Sequence, residues 1–212
     1  LNTSTDDYTD REGIAYLYNE FGYNDAIATK SFCELLQADS NDVRLTAMLA
    51  SRDEDMQKKF GQDKVWINKF PENSQGEMRL NNVPILRLSE TYLIAAEASA
   101  KLNDKAAAAK YLNAIVQRAN PKATPVSEAD ATVDRILIER RKELVGEGHR
   151  FFDAMRNNQT IVRYTDEAKK GYHYTLTMPQ SRKFDRTYFR IVLPIPEAET
   201  DANADIKQNP GY

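Results

Sequence analysis

Residues 88–121 read LSETYLIAAEASAKLNDKAAAAKYLNAIVQRANP, and this stretch decides the fold. Apolar and small residues recur at helical spacing: Leu88, Tyr92, Ala95, Ser99 and Leu102 mark one face, and Ala108, Tyr111, Leu112, Ile115 and Ala119 mark another. Only Asn103-Asp104 separates the two segments, which leaves room for nothing but an antiparallel helical hairpin. Pro121 ends the second helix. From Glu90 to Pro121 the unit has the length of one tetratricopeptide-type helix pair, with Ala95, Ala96 and Ala109 where the helices must approach closely. A stable array needs about three such units and one is found, so further helical partners are expected in chain outside this sequence.

Toward the C-terminus, Ser127-Glu128-Ala129-Asp130 has the form of a capping box ahead of a third helix whose apolar positions are Val133, Ile136, Ile138, Leu144 and Val145. Gly146 and Gly148 interrupt it, and a short fourth helix carries Phe151, Phe152, Ala154 and Met155. Alternation at Tyr172–Leu176 and at Tyr188–Leu193, before Pro194 and Pro196, then points to β structure, and the tail holds a short helix at most. Residues 1–80 are irregular and rich in Asn, Asp, Gly and Tyr, with helices expected near Ala28–Gln37 and Val43–Leu49 and a strand at Val65–Phe70. They show too little periodic apolar pattern to bury a core alone and are expected to pack on the helical region 81–212. The fold class is therefore mainly α, built on tetratricopeptide-like hairpins with irregular loops and a few short strands.

Composition narrows the function. Acidic and basic side chains number 32 and 29 and are mixed along the 212 residues, so no basic face is available to neutralise phosphates, which argues against nucleic acid as a partner. Cys33 lies in the apolar run Phe32–Leu36 and reads as a small buried hydrophobe; no motif ties His149 or His173 to it. No stretch reaches the roughly 18 apolar residues of a membrane span. Leu1–Asp7 lacks the charge and apolar run of a signal peptide, and so polar a start points to a piece of a longer chain.

The densest charged run is Glu139-Arg140-Arg141-Lys142-Glu143, followed by Glu147, Arg150, Asp153 and Arg156. Glu139 and Glu143, one turn apart, could serve as the carboxylate pair of a glycosidase, but such a pair needs one acid kept protonated. Here every carboxylate has an arginine within three or four residues, so Glu139, Arg140, Glu143, Arg150, Asp153 and Arg156 are expected to form a structural ion-pair network. His149 and Asp153 lack the further ligands a zinc site requires. The calcium-loop-like Asp201–Asp205 fails because Ile206 stands where Gly is needed and Tyr212 where Glu is needed. No metal or cofactor is expected. Of the 11 tyrosines, Tyr8, Tyr16, Tyr18 and Tyr23 crowd one polar region; such rings either stack on sugar faces or pack a loop on the helices.

Several of these segments, in order, resemble the SusD/RagB-like family. They are Val83–Ala98 with its Pro84, Arg87, Glu90 and Glu97; Leu112–Ala119; Ile138–Leu144 with Glu147–Arg156; and Leu193–Glu197 with the closing Gln208-Asn209-Pro210-Gly211-Tyr212. Gly22-Tyr23-Asn24, Ala28–Phe32 and Asn41-Asp42-Val43-Arg44 resemble it more loosely. The resemblance implies a non-catalytic, lipid-anchored protein on the outer leaflet of a Gram-negative outer membrane. As partners it implies an oligosaccharide or polysaccharide, or in some members a peptide, and a TonB-dependent transporter barrel. Cys33 does not correspond to the anchoring cysteine. Tyr16, Tyr18, Tyr23 and Asn24 are the candidate glycan contacts, with Tyr23 as stacking platform and Asn24 as hydroxyl partner. A peptide-capturing or protein-binding helical-repeat module is the second reading and a glycosidase the third.

Overall fold

The computed structural model describes residues 14–18, 26, 28–50, 66–70, 84–163 and 182–212. Those up to Arg150 form one compact unit and those from Phe151 onward another.

The first unit is organised around the hairpin of helices Leu88–Lys101 and Lys105–Ala119. The turn works because Asn103 adopts a left-handed φ of 62° and Asp104 caps the next helix, its side chain accepting from the Ala107 N–H. Numbered in chain order, the elements before it are α1 (Ile14–Tyr18), α2 (Lys30–Gln37), α3 (Arg44–Met48) and the strands β1 (Leu49–Ala50) and β2 (Trp66–Ile67). The hairpin helices are α4 and α5, followed by α6 (Val133–Glu143) and α7 (His149–Arg156). The strands β1 and β2 pair antiparallel, Leu49 opposite Ile67.

Two apolar clusters hold this unit. The larger joins Leu93 and Ala96 of α4, Ala108, Leu112 and Ile115 of α5, and Ile136 of α6. The smaller joins Phe32, Cys33 and Leu36 of α2 to Met48 and Ile67. On α5, Ala108, Leu112, Ile115 and Ala119 of the face read from the sequence are buried, with Tyr111 half-buried and Ala109 and Val116 buried beside them. On α4 the buried residues do not match that reading: Leu88 and Leu102 are exposed, and the inner face is Ser89, Leu93, Ala96 and Glu97. Small side chains there let two backbones approach closely around Leu93, and Leu88 and Leu102 are left outside that contact.

The capping box also forms differently from its expected place. Ser127 Oγ donates to Asp130 Oδ2 at 2.6 Å and accepts from the Asp130 N–H at 3.2 Å, closing a turn. The helix itself begins one turn later, capped by Thr132, whose hydroxyl accepts from the Arg135 N–H.

In the second unit β3 (Ile161–Val162) pairs antiparallel with β4 (Lys183–Phe184). The alternation at Tyr188–Leu193 does not make a strand: Phe189–Ile191 is a 3-10 turn, and α8 (Glu197–Ala202) follows. What holds this segment is the chain's last five residues. Gln208 brackets Ile195, accepting from its N–H and donating to its C=O, each at 2.8 Å, while Asn209 Nδ2 donates to Leu193 O and Tyr212 OH to Val192 O, also at 2.8 Å. Side chains take the hydrogen bonds a neighbouring strand would have made. The alternation at Tyr172–Leu176 lies outside the described residues.

Candidate functional site

The densest polar arrangement is a cluster of buried charge around the inner face of α6. Glu139 and Glu143 stand one turn apart and are 0% and 1% exposed. Asp42 and Arg44 enter from the start of α3, where the Asp42 carboxylate takes the Arg44 backbone N–H at 3.0 Å and grips its guanidinium in a fork, Nε at 2.8 Å and Nη2 at 2.6 Å. The same guanidinium reaches Glu139 at 2.5 Å and Glu143 at 3.2 Å. Glu143 is further held by Arg118 of α5 at 2.6 Å and by Arg87, just ahead of α4, at 3.0 Å. Arg135 and Lys142 complete the shell of Glu139 and Asp42. Beyond α6, Glu147 joins Arg87 and Lys69, and Lys69 also donates to the C=O of Glu143.

These contacts fix the protonation states. Burial alone would raise Glu139, yet the charges of Arg44, Lys142 and Arg135 hold it below the usual carboxylate range. Glu143 is held down likewise, burial being outweighed by Arg118, Arg87 and Arg44. Asp42 sits at about 2, its burial outweighed by the hydrogen bonds and charge of Arg44. Lys69 moves the other way, lowered by burial despite Glu147. Carboxylates clamped in this form cannot supply the protonated acid that glycoside cleavage requires.

Of the residues singled out from the sequence, Glu139 and Glu143 are the centre of this cluster. Arg140 is buried on α6. Arg150 lies exposed near the start of α7, and Asp153 is buried beside Arg156 of the same helix, with Nη2 at 2.6 Å from Oδ1. Glu139 and Glu143 draw cations from distant segments, Arg44, Arg87 and Arg118, with Asp42 bracing Arg44 and Lys69 donating to the Glu143 C=O. Two of them stood in a stretch already noted, Asn41-Asp42-Val43-Arg44, where Asp two residues before Arg favours the observed local fork.

Tyr18 ends α1, its ring stacked on Phe70 at 5.8 Å and its hydroxyl donating to Gly146 O at 3.1 Å. Burial, with the Glu147 charge added, raises its pKa. Gly146 has a φ of +77°, and a Cβ there would stand 3.1 Å from the Phe70 ring and 3.3 Å from that of Tyr18, so glycine is what lets the two rings close over this turn. Tyr16 lies on α1, while Tyr23 and Asn24 lie outside the described residues. Among the described residues, no group of three or more His, Cys, Asp or Glu side chains could hold a metal ion.

The sequence model of the SusD family matches residues 15–212. The chain belongs to the SusD family. Its mainly helical fold is shared with solved relatives. A SusD superfamily protein of Bacteroides vulgatus is 41% identical over the whole of this chain, with a TM-score of 0.80. A laminarin-binding SusD-like protein is 25% identical over 90% of the chain, with a TM-score of 0.56. SusD-like protein P25 of Formosa agariphila is 34% identical over 144 residues, 66% of this chain. The chain spans 45% and 39% of the two solved structures and 26% of the Formosa protein.

Proposed function

We propose that this SusD-family chain is part of a cell-surface protein that binds an oligosaccharide or polysaccharide without cleaving it and delivers it to a TonB-dependent transporter barrel. The full-length protein is held on the outer membrane by a lipid anchor. Family membership over residues 15–212 carries this reading, and the similarity to a protein that binds laminarin supports glycan as the ligand. The clamped state of Glu139 and Glu143 supports binding without turnover, because neither can donate a proton to a leaving sugar. Among the described residues no helix is long and apolar enough to cross a membrane.

Within this chain the glycan contacts are assigned to the Tyr16–Asn24 region. Tyr18 has its hydroxyl and one ring neighbour already engaged, so it acts as the support on which the segment turns. Tyr23 supplies the stacking ring and Asn24 the hydroxyl partner. The test is calorimetry of the chain with laminarin and a panel of neutral glycans, run beside a peptide pool and an assay for reducing-end release. Saturable glycan binding without new reducing ends is the expected result. Binding confined to the peptides would favour peptide capture, and release of reducing ends would overturn the non-catalytic assignment.

A further inference from the structure

The second unit carries a row of aromatic rings that the binding region above does not use. Phe151, Phe184, Tyr188, Phe189 and Tyr212 follow one another with centroids 6.4, 6.4, 5.3 and 5.2 Å apart. The row is fixed in place from its end. Gly211, at a φ of +98°, turns the chain so closely against Phe189 that a Cβ would come within 2.7 Å of the ring, and the Tyr212 hydroxyl is tied to Val192 O. Phe189 and Tyr212 nevertheless remain 37% and 46% exposed. Rings presented this way lose little freedom when a ligand stacks on them.

Exposed cations stand on this row. Arg163 lies over Phe184, with its guanidinium 5.7 Å from the centroid, and Arg190 lies over Phe189 at 5.3 Å. In a chain of formal net charge -3, residues 182–190 hold four cations, Arg182, Lys183, Arg186 and Arg190, against one anion, Asp185. That anion is turned inward on its own loop, accepting from Thr187 Oγ1 at 2.6 Å and from the Thr187 N–H at 2.9 Å. Among the described residues no carboxylate lies within ion-pair distance of Arg163, Arg186 or Arg190, in contrast to the tightly matched charges of the first unit. Neutral sugars need rings and amides. Guanidinium groups placed over rings add the planar fork that grips carboxylate or sulfate oxygens.

We infer that the C-terminal unit is a binding surface for acidic glycan, with Phe189 and Tyr212 stacking on sugar faces and Arg163 and Arg190 holding the uronate or sulfate groups. This rests on the glycan-binding reading and names the ligand chemistry at a second place in the chain. The test titrates the full chain with polygalacturonate, dextran sulfate and neutral laminarin at low and high salt, for the parent and for the double variant Arg163→Gln/Arg190→Gln. A control pair, Lys105→Gln/Lys110→Gln on exposed positions of α5, removes the same charge elsewhere.

Binding to at least one acidic probe should fall about tenfold or more in the Arg pair, weaken with salt, and hardly change in the Lys pair, with laminarin binding unaffected by either. The two acidic probes separate carboxylate from sulfate recognition. Equal losses in both pairs would mean unspecific charge attraction and overturn the assignment, as would acidic binding that ignores the Arg pair. Laminarin binding without any acidic binding would sink this inference and leave the glycan reading standing, whereas silence toward all three probes would remove both. Self-association of the parent that disappears in the Arg pair would reassign the surface to a second copy of the chain.

Discussion

Replacing Arg44 by alanine should unfold this protein's first unit more readily than any surface change. The guanidinium, 4% exposed, makes both bonds of the Asp42 fork and bridges Glu139 and Glu143. Its loss strands three buried carboxylates, but not equally. Asp42 keeps the backbone N–H of residue 44 at 3.0 Å and Lys142 at 3.3 Å, Glu139 keeps Arg135 at 2.8 Å and Lys142 at 3.6 Å, and Glu143 keeps Arg118 and Arg87 at 2.6 and 3.0 Å. Breaking one partner of a buried pair costs about 3–5 kcal/mol, and the cations left behind place Arg44→Ala near the lower end, about 3 kcal/mol.

The pH dependence carries a second signature. Asp42 falls from an ordinary 3.8 to about 2 on folding, so the unfolded chain binds more protons and stability rises with pH between those values. The contribution, about 2 kcal/mol, is fully present above pH ~4 and is lost as pH falls through about 2. Urea unfolding of parent and variant at pH 7, repeated at steps down to pH 2, reads both effects. The variant should be less stable at pH 7 and should show a flatter acid limb. A loss below about 1 kcal/mol, the value of an exposed pair, with an unchanged acid limb would refute the view that this cluster is a desolvated network.

Tyr23→Ala should weaken glycan binding about tenfold by calorimetry while the circular dichroism spectrum is kept; unchanged affinity would move the site out of the Tyr16–Asn24 region. Gly146→Ala should cost about 2 kcal/mol in urea unfolding, because its left-handed φ strains any L side chain and a methyl group would press on the rings of Phe70 and Tyr18. Cys33 is buried and its thiol is pushed up to about 11 by that burial, so a disulfide exchange reagent at pH 8 should label it only after unfolding. Full labelling of the native protein within seconds would contradict that.

The helical hairpin was legible because everything that makes it is local: alanine-rich periodicity, a two-residue turn and a closing proline. The inner face of α4 was less so, since Leu88 and Leu102 drew the reading one residue away from Ser89, Leu93, Ala96 and Glu97, of which the small and polar members scarcely register. The segment Tyr188–Leu193 has the alternation of a strand but finds hydrogen-bond partners in the side chains of Asn209 and Tyr212, with Gln208 bracketing Ile195 just beyond it, which no strand pattern encodes. The charge cluster was half visible. Spacing put Glu139 and Glu143 on one helix, but their strongest cations arrive from other helices and loops, and spacing along one helix says nothing about those.

The cluster also sets a clock. Glu143 meets Arg118 across 25 residues of chain, Arg87 across 56 and Arg44 across 99, so its contacts are expected to close late, once the helices bearing them have docked. Interactions completed on the native side of the folding barrier leave the folding rate nearly untouched and govern how fast the native state is lost. Weakening Arg44 or Arg118 should therefore steepen the escape from the folded state and shorten its lifetime, while the newly made chain reaches that state as quickly as before.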